Sequence, residues 1–377
     1  MVDPVTELAN RGLALLRAGD AVAARRALQD VVAADRASAG LFVLLADACA
    51  QTGDDVAADA ALDQALAIEP RNLAALTVKG DRAHAAGDDR AASAWYNMVL
   101  STVQRLGGVP REAESLVARA RLGVAAAQAM FDAHLNAALA GIAAGSRFDE
   151  ARAILSGQVE PQLQAPTSFY YPGLPQTAFY PRVAFDWVAG LEAAAPAIRA
   201  ELEGVLTTRE GFRPYVEADP MRPNKGHALL DSDDWSAFHL YQNGEPVAEN
   251  AVRCPATMAA LDGVPLPNIG GRSPMALFSL LAPHTHIPPH HGMLNTRLVV
   301  HLPLIVPPDC RLRVGNHTHP VEAGHAMIFD DSILHEAWND SDDTRVVLLF
   351  EIWRPELSAA ERDALTRLFE ATGSYAR

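Results

Sequence analysis

The segments Pro289-His290-His291-Gly292-Met293-Leu294-Asn295 and Phe329-Asp330-Asp331-Ser332-Ile333-Leu334-His335 decide how this chain is interpreted. Each holds a histidine in an apolar, strand-like context, and Arg345 follows ten residues after the second histidine. Imidazole binds transition metals, and a guanidinium binds carboxylates through paired hydrogen bonds. The combination predicts a metal held by two imidazoles and an anionic co-substrate held by an arginine.

Short β-rich segments with turn residues between them run from Met275 onward and predict a small barrel or jelly roll. The predicted strands are 276–281, 296–305, 310–314, 326–329, 334–338 and 345–353.

Alternation sorts the second predicted strand into two faces. The outer face is aliphatic and carries Leu298, Val300, Leu302 and Leu304. The inner face carries Arg297, Val299 and His301, and Leu277 and Ser279 share one face of the first strand. Because buried polar groups need partners, the inner face is predicted to point at a ligand or a wet cavity.

The chain has 13 histidines, and five of them fall within residues 284–301. A lone histidine on an apolar strand is usually a core residue, but this density favours a metal site for Fe, Zn, Cu or Ni. The facial triad of non-haem iron sites needs a carboxylate two residues after the first histidine, and Gly292 stands there. Asp331 and Asn295 are expected just outside the ligand shell. His284 and His286 are expected on the approach to the cavity.

A repeat occupies the N-terminal part. Gly19-Asp20, Gly53-Asp54 and Gly87-Asp88 recur at a spacing of 34 residues. The glycine permits the positive φ of a helix end, and the aspartate caps the next helix. This period resembles the tetratricopeptide repeat and predicts an α-helical solenoid, with a plain alanine-rich bundle as the alternative.

Further helices are predicted over 111–143 and 148–155, as caps of this solenoid within a domain of residues 1–157. The concave surface is expected to bind a peptide or protein. The alternatives are packing on the second domain or a homodimer.

A segment rich in proline and aromatic residues, 158–182, is predicted to be a connector that packs on the second domain, because a flexible linker would be rich in Gly and Ser. The second domain is then 183–377. Helical periodicity over 187–205, a strand around 235–241 and a hairpin turn at Asn243-Gly244 are predicted within it. The fold class is therefore multidomain α + β.

Bulk composition limits the partners. A net charge of −15 argues against nucleic acid and anionic membranes, since both favour a basic surface. The three cysteines, Cys49, Cys254 and Cys310, are too scattered for a disulfide framework and are interpreted as reduced thiols. Neither a signal peptide nor an apolar run of about 20 residues is found, so a cytoplasmic location is expected.

Three motifs resemble the aspartyl/asparaginyl β-hydroxylase family. Its Pro-His-x-Gly-x-x-Asn motif is matched by 289–295, its Phe-Asp-Asp-Ser-x-x-His-Glu-x-Trp motif by 329–338, and its closing Trp-x-Pro-Glu-Leu by 353–357. Family members also carry a tetratricopeptide-like region before this domain. A glycine in place of the triad carboxylate is typical of this branch.

The resemblance implies a double-stranded β-helix (a jelly-roll, cupin-like fold). It also implies a dioxygenase that uses Fe(II), 2-oxoglutarate and dioxygen to hydroxylate an unactivated C–H bond, releasing succinate and CO2. By this resemblance His290 and His335 are the iron ligands. Arg345 and Ser279 hold the distal carboxylate of 2-oxoglutarate, and His301 contacts its metal-proximal carboxylate.

The substrate is less defined. Animal members of the family carry basic residues at the positions of Leu277 and Val299, where they bind an acidic substrate side chain, and both positions are aliphatic here. Arg297 remains as a possible anchor. The substrate is therefore either a peptidyl Asp/Asn-like residue or a small molecule. Possible substrate-binding residues are Arg297, His284, His286, Val299 and Leu277.

Two other functions stay open at the level of the sequence. One is a cupin-type metal protein that does not use 2-oxoglutarate, and the other is a non-catalytic adaptor whose repeats bind a partner.

Overall fold

Helices fill the N-terminal part of the chain and strands fill most of the C-terminal part in the computed structural model. The structure describes residues 4–34, 37–218, 226 and 228–375. The chain divides into two units, Met1–Gln158 and Val159–Arg377. Among the helices described, none is long and apolar enough to span a membrane.

The described residues of the first unit form consecutive helices. They are α1 Pro4–Arg17, α2 Ala21–Ala33, α3 Ala39–Gln51, α4 Asp55–Ile68, α5 Leu73–Ala85, α6 Asp89–Arg105, α7 Glu114–Ala138 and α8 Ser146–Leu155. A 3-10 turn, Arg111–Ala113, precedes α7.

The Gly-Asp steps end one helix and begin the next. Gly19, Gly53 and Gly87 have φ values of 82°, 78° and 77°. After each glycine an aspartate side chain accepts a hydrogen bond from the backbone N–H three residues later, at 3.0, 3.0 and 2.9 Å. The predicted repeat is confirmed, and the unit is a solenoid of the tetratricopeptide type.

The end of the solenoid differs from the prediction in its bounds. The α-helix predicted to run to residue 143 ends at Ala138, and Gly141 with a φ of 81° reverses the chain. Helix α8 contains no buried residue.

Tyr96 joins the last three long helices. Its hydroxyl donates to Asp81 at 2.8 Å, and Arg119 pairs with the same carboxylate at 3.1 Å. The ring lies against the backbones of Gly80 and Gly123, where a Cβ would approach ring atoms to 2.5 and 2.2 Å. Glycine is therefore required for the close packing of α5, α6 and α7 at this ring.

The second unit contains twelve strands among its described residues. They are β1 Phe179–Tyr180, β2 Phe212–Pro214, β3 Trp235–Gln242, β4 Glu245–Pro246, β5 Ala276–Leu281, β6 Thr285–His290, β7 Arg297–Ile305, β8 Cys310–Val314, β9 His317–Pro320, β10 Met327–Phe329, β11 His335–Asn339 and β12 Arg345–Trp353. Its helices are α9 Val188–Leu206, α10 Ala248–Ala251, α11 Pro255–Asp262 and α12 Ala359–Tyr375.

Two antiparallel sheets face each other in this unit. The larger has the order β1-β10-β7-β12-β5-β3-β2, with β4 on β3, and the smaller has the order β6-β11-β8-β9. From β5 to β12 the chain crosses repeatedly between the two sheets, which is the winding of a double-stranded β-helix. The predicted fold class is confirmed.

The predicted faces of β7 are also confirmed. The outer residues Leu298, Val300, Leu302 and Leu304 pack in one core cluster with Ile198 and Leu202 of α9. The inner Val299 lies between the sheets with Leu277, Leu349 and Leu312. Functional side chains on the inner face are thereby held between two packed layers.

The outcome for the other predicted elements is mixed. The Asn243-Gly244 hairpin is confirmed, with φ values of 53° and 87° at the turn and Gln242 paired with Glu245. Strand β6 was not predicted, because Pro288 and Pro289 disfavour a strand. It lies at the edge of the smaller sheet, where missing N–H donors are tolerated.

Candidate active site

The two motif histidines lie side by side. His290 ends β6, His335 begins β11, and the two residues are paired in register. Their ring centroids are 4.1 Å apart and the ring planes meet at 51°. Nδ1 of His290 donates to the carbonyl of Pro288 at 2.8 Å, and Nδ1 of His335 donates to that of Ile333 at 3.0 Å.

These carbonyl contacts fix the chemistry of both rings. A carbonyl only accepts, so Nδ1 carries the proton and Nε2 of each neutral ring carries the lone pair. Burial lowers the pKa of His335 to about 4, which keeps this ring neutral at physiological pH. Two imidazoles oriented in this way are a donor set that suits a first-row transition metal.

A carboxylate occupies the space that a side chain at position 292 would need. A Cβ on Gly292 would lie 2.0 Å from Oδ2 of Asp331. The Asp331 carboxyl is buried, and its Oδ1 has no hydrogen-bond partner within the described residues. Burial raises the pKa of Asp331 to about 6, opposed mainly by the positive charge of Arg297. An acidic group thus lies beside the histidines, although it comes from the second motif.

No group of three or more His, Cys, Asp or Glu side chains forms a complete metal cage in the described part of the chain.

Arg345 is buried between the sheets, and no ion pair with a described residue neutralises it. It is 1% exposed, and its Nε and Nη1 have no hydrogen-bond partner among the described residues. Burial lowers the pKa of this guanidinium to about 10, so it remains charged. A buried, charged arginine without a partner is costly, and a bound anion would offset that cost.

His301 lies on the inner face that also carries Arg345. Burial, and then the positive charge of Arg345, holds the pKa of His301 well below its ordinary value. Its ring packs edge-on against Phe329, with centroids 4.9 Å apart. His301 is therefore a neutral hydrogen-bond donor or acceptor on the inner face.

Ser279, the other residue predicted to hold the anion, also faces inward. It lies opposite Val347 in register, two residues along β12 from Arg345. Its hydroxyl accepts a hydrogen bond from the indole of Trp235 at 3.1 Å.

Two aromatic residues of the site were missed by the sequence reasoning. Trp235 lies 6.3 Å from His290 between ring centroids, and Tyr215 stacks on Trp235 at 4.0 Å. Burial raises the pKa of Tyr215 to about 12, and the charges of Arg297 and Asp331 act on it from nearby. The alternating pattern around Trp235 predicted a strand, but nothing in the sequence placed it beside a histidine 55 residues away.

The proposed substrate anchors have different surroundings. Arg297 forms an ion pair with the fully buried Glu351, which also accepts from the backbone N–H of Met275 at 3.2 Å. Leu277 and Val299 are buried on the inner face. This part of the inner face is therefore lined by aliphatic side chains, and Glu351 already neutralises the charge of Arg297.

The side chain of Asn295 forms hydrogen bonds that support the structure around the site. Its side chain accepts from the backbone N–H of Tyr171 at 2.7 Å and donates to Gln164 at 2.9 Å. It lies close to the site along the chain, but its hydrogen bonds hold the segment that follows the helical unit.

The structure does not bring His284 and His286 to this cluster. His284 is exposed and pairs with Asp342 at 2.9 Å. His286 stacks on Trp338 and contacts Glu336 at 2.7 Å, on the face of the smaller sheet opposite to the buried Ile287. A bulge between β6 and β11 separates His286 from the side that His290 faces.

Comparison with known proteins shows which family the second unit resembles. Residues 192–355, which span both histidine motifs and Arg345, match the model of the protein family described as "Aspartyl/Asparaginyl beta-hydroxylase". The matched residues make up most of the second unit, which therefore resembles the aspartyl/asparaginyl β-hydroxylase family. The family resemblance predicted from the motifs is confirmed.

Two curated relatives are similar to the second half of this chain. The chain is 36% identical over 193 residues to "Ornithine lipid ester-linked acyl 2-hydroxylase" of Rhizobium tropici, covering 50% of this chain and 65% of that protein. It is 38% identical over 162 residues to the human "Aspartyl/asparaginyl beta-hydroxylase", covering 42% of this chain and 21% of that protein. The chain thus spans between a fifth and two thirds of the length of these two relatives.

A solved Sgt2 TPR domain from Aspergillus fumigatus aligns with 38% of this chain and 88% of its own, at a TM-score of 0.30 and 14% identity.

Proposed function

We propose that the second unit is an Fe(II)- and 2-oxoglutarate-dependent dioxygenase that hydroxylates an unactivated C–H bond and releases succinate and CO2. The observation that carries the proposal is Arg345, a buried guanidinium with two unpaired nitrogen atoms on the inner face that also carries His301 and Ser279. A fold that keeps such a charge pays a desolvation cost unless an anion reaches it.

In this proposal Arg345 binds the distal carboxylate of 2-oxoglutarate in a bidentate manner, and the Ser279 hydroxyl adds a hydrogen bond. Ser279 already accepts from the Trp235 indole, so its own proton is directed away from Trp235. His301 is held neutral by burial and faces the other end of the co-substrate. Together these residues orient a dicarboxylate along the inner face.

His290 and His335 would hold the iron through Nε2, because their Nδ1 atoms are committed to backbone carbonyls. When bound, the iron would supply the activation of dioxygen that the protein side chains cannot provide. The Asp331 carboxylate lies within reach of the same region without replacing an imidazole, so its role is to hold a proton or accept a hydrogen bond from a water. The aromatic pair of Trp235 and Tyr215 excludes bulk water from one side.

The substrate is proposed to be a peptidyl group or a small molecule. The aliphatic Leu277 and Val299, and the pairing of Arg297 with Glu351, favour an uncharged carbon chain over an acidic side chain at this part of the inner face. The name of the Rhizobium relative, an acyl 2-hydroxylase, agrees with this preference. The helical repeats are proposed to bind a protein partner or a second copy of the chain.

Succinate formation on addition of Fe(II), 2-oxoglutarate and dioxygen tests the proposal. The wild type should convert 2-oxoglutarate even without substrate, and Arg345→Ala should lose this turnover by at least about a hundredfold, as expected for removal of a charged anchor. Arg311→Ala is the matched control, because Arg311 lies on the outer side of the smaller sheet over Trp338.

Equal turnover in Arg345→Ala and wild type would contradict the assigned co-substrate site and favour a cupin-type metal protein. Calorimetry that detects no 2-oxoglutarate binding, together with no succinate, would favour a non-catalytic adaptor.

A further inference from the structure

One segment of the chain, which precedes the family match, is hydrogen-bonded to the loops of both histidine motifs. The backbone N–H of Ala165 donates to the carbonyl of Ser332 at 2.8 Å, in the turn before His335. The N–H of Thr167 donates to Gly292 at 2.9 Å, and that of Phe169 to Met293 at 3.0 Å, in the loop after His290. The segment 164–171 therefore crosses from one histidine loop to the other.

Gln164 joins the two loops through its side chain. Its amide N–H groups donate to Oδ2 of Asp330 at 2.6 Å and to the carbonyl of Pro175 at 2.9 Å. Its amide oxygen accepts from Asn295 at 2.9 Å. Asp330 belongs to the motif of His335, and Asn295 belongs to the motif of His290. One amide thus bridges the two motifs.

The residues that surround the Gln164 side chain are buried and restrict its movement. Gln164 is 7% exposed, and Asp330, Asn295 and Arg354 are fully buried. Arg354 neutralises Asp330 at 2.8 Å and donates to the carbonyl of Asn295 at 3.1 Å. Only a primary amide supplies both the donors and the acceptor that this position uses, since a glutamate would add a second negative charge beside Asp330.

We infer that Gln164 is a positioning residue that sets the separation of His290 and His335 by tying together the loops that carry them. The inference rests on the proposed function, because the quantity that the bridge controls is the geometry of the metal site. The hydrogen bonds of Gln164 among the described residues go to groups other than the two imidazoles. Gln164 acts through Asp330 and Asn295, as groups outside a ligand shell commonly orient the ligands.

The test is Co(II) titration of the metal-free full-length protein, followed by its absorption spectrum, with thermal unfolding measured in parallel. Gln164→Ala should weaken Co(II) binding by roughly ten- to a hundredfold, the usual effect of removing a group that orients the ligands, and should change the spectrum. If Gln164→Ala does not fold, Gln164→Met keeps the volume, removes the same hydrogen bonds and is measured instead.

Two controls separate positioning from general destabilisation. Leu202→Ala removes a buried side chain of α9 from the outer face of the larger sheet. It should lower the melting temperature while keeping Co(II) affinity within about twofold, because it is distant from the site. Gln162→Ala removes a neighbouring amide whose N–H groups donate only to the carbonyl of Glu160 among the described residues, and it should leave both quantities unchanged.

Unchanged Co(II) affinity and spectrum in a folded Gln164 variant would overturn the inference while leaving the proposed function intact. Loss of affinity in Leu202→Ala in proportion to its loss of melting temperature would overturn it as well, since the effect would then be general. A wild type that binds neither Co(II) nor 2-oxoglutarate would remove the proposed function first, and this inference with it.

Discussion

A Cβ atom on Gly292 would lie 2.0 Å from Oδ2 of Asp331, so the carboxylate of the second motif fills the side-chain space of the first. The backbone N–H of Gly292 also donates to the Asp331 carbonyl at 2.6 Å, which prevents the two segments from moving apart. The glycine is therefore fixed by packing against Asp331, independently of any metal.

Gly292→Ala should for this reason damage the site more than a single methyl group normally would. We expect destabilisation of about 1–3 kcal/mol from overpacking, together with weaker Co(II) binding. Urea unfolding and Co(II) titration measure the two effects. Gly292→Asp alone should destabilise the protein more than Gly292→Ala does. Combining Gly292→Asp with Asp331→Gly should recover much of the lost stability. A stable Gly292→Asp variant with strong metal binding would contradict this account.

Arg345 and Arg354 provide a matched pair of fully buried arginines with opposite expected effects. Arg345 has unpaired nitrogen atoms, whereas Arg354 is paired with Asp330 at 2.8 Å. Arg345→Met should therefore stabilise the protein in the absence of 2-oxoglutarate, by about 1–4 kcal/mol, while abolishing 2-oxoglutarate binding. Arg354→Met should destabilise it by about 3–5 kcal/mol, because it leaves a buried carboxylate unpaired. Thermal unfolding without ligand distinguishes the two, and destabilisation by Arg345→Met would show that its charge is compensated.

The stability of the metal-free protein should rise with pH between about 4 and 6.5. Burial lowers the pKa of His335 from 6.5 to about 4, and it also lowers that of His301 and His239. These three histidines bind protons on unfolding in this window, so the stability they contribute is lost as the pH falls through it. Asp331, whose pKa burial raises to about 6, acts in the opposite sense and offsets part of this change, but the three histidines together outweigh it. Urea unfolding in the presence of a chelator measures the effect.

The contribution of His335 can be isolated with His335→Gln, which cannot titrate. Between about pH 4 and 6.5 the free energy of unfolding of this variant should rise by about 2 kcal/mol less than that of the wild type. This difference is smaller than the full pKa shift would give, because the His335 ring is partly exposed to solvent. Parallel pH profiles for variant and wild type would show that His335 titrates normally in the folded state.

In the helical unit, Gly123 and Gly108 should respond differently to the same substitution. A Cβ at Gly123 would lie 2.2 Å from the buried ring of Tyr96, whereas a Cβ at Gly108 meets nothing within 4 Å. Gly123→Ala should cost about 1–3 kcal/mol and Gly108→Ala should be neutral or slightly stabilising. Thermal unfolding of the full chain, followed by the helical circular dichroism signal, measures both. Adding Tyr96→Ala should remove the difference between the two glycines if the ring is its cause.

Much of the architecture was predictable because it follows from local periodicity. The recurrence of Gly-Asp gave the helix boundaries, since a positive φ and a side-chain cap are properties of single residues. The alternation along β7 likewise assigned Val299 and Leu298 to opposite faces, because neighbouring side chains of a strand point in opposite directions.

The parts that escaped prediction depend on contacts between distant residues. Gln164 meets Asp330 across 166 positions, and Arg297 meets Glu351 across 54. A glutamine in a proline-rich stretch has no sequence pattern that indicates a buried bridge. The inward position of Arg297 was predictable from alternation, but its neutralisation depends on which strand lies beside it.

The family match begins at residue 192, yet the hydrogen bonds of Gln164, Ala165 and Thr167 belong to the same folded body as the two histidines. The shortest fragment that keeps these hydrogen bonds is therefore longer than the region that matches the family, residues 192–355. A fragment that begins at residue 192 would keep every motif residue but would lose segment 164–171, which is hydrogen-bonded to both histidine loops. When such domains are exchanged between proteins, by recombination or in the laboratory, the junction that preserves the site lies before Gln164.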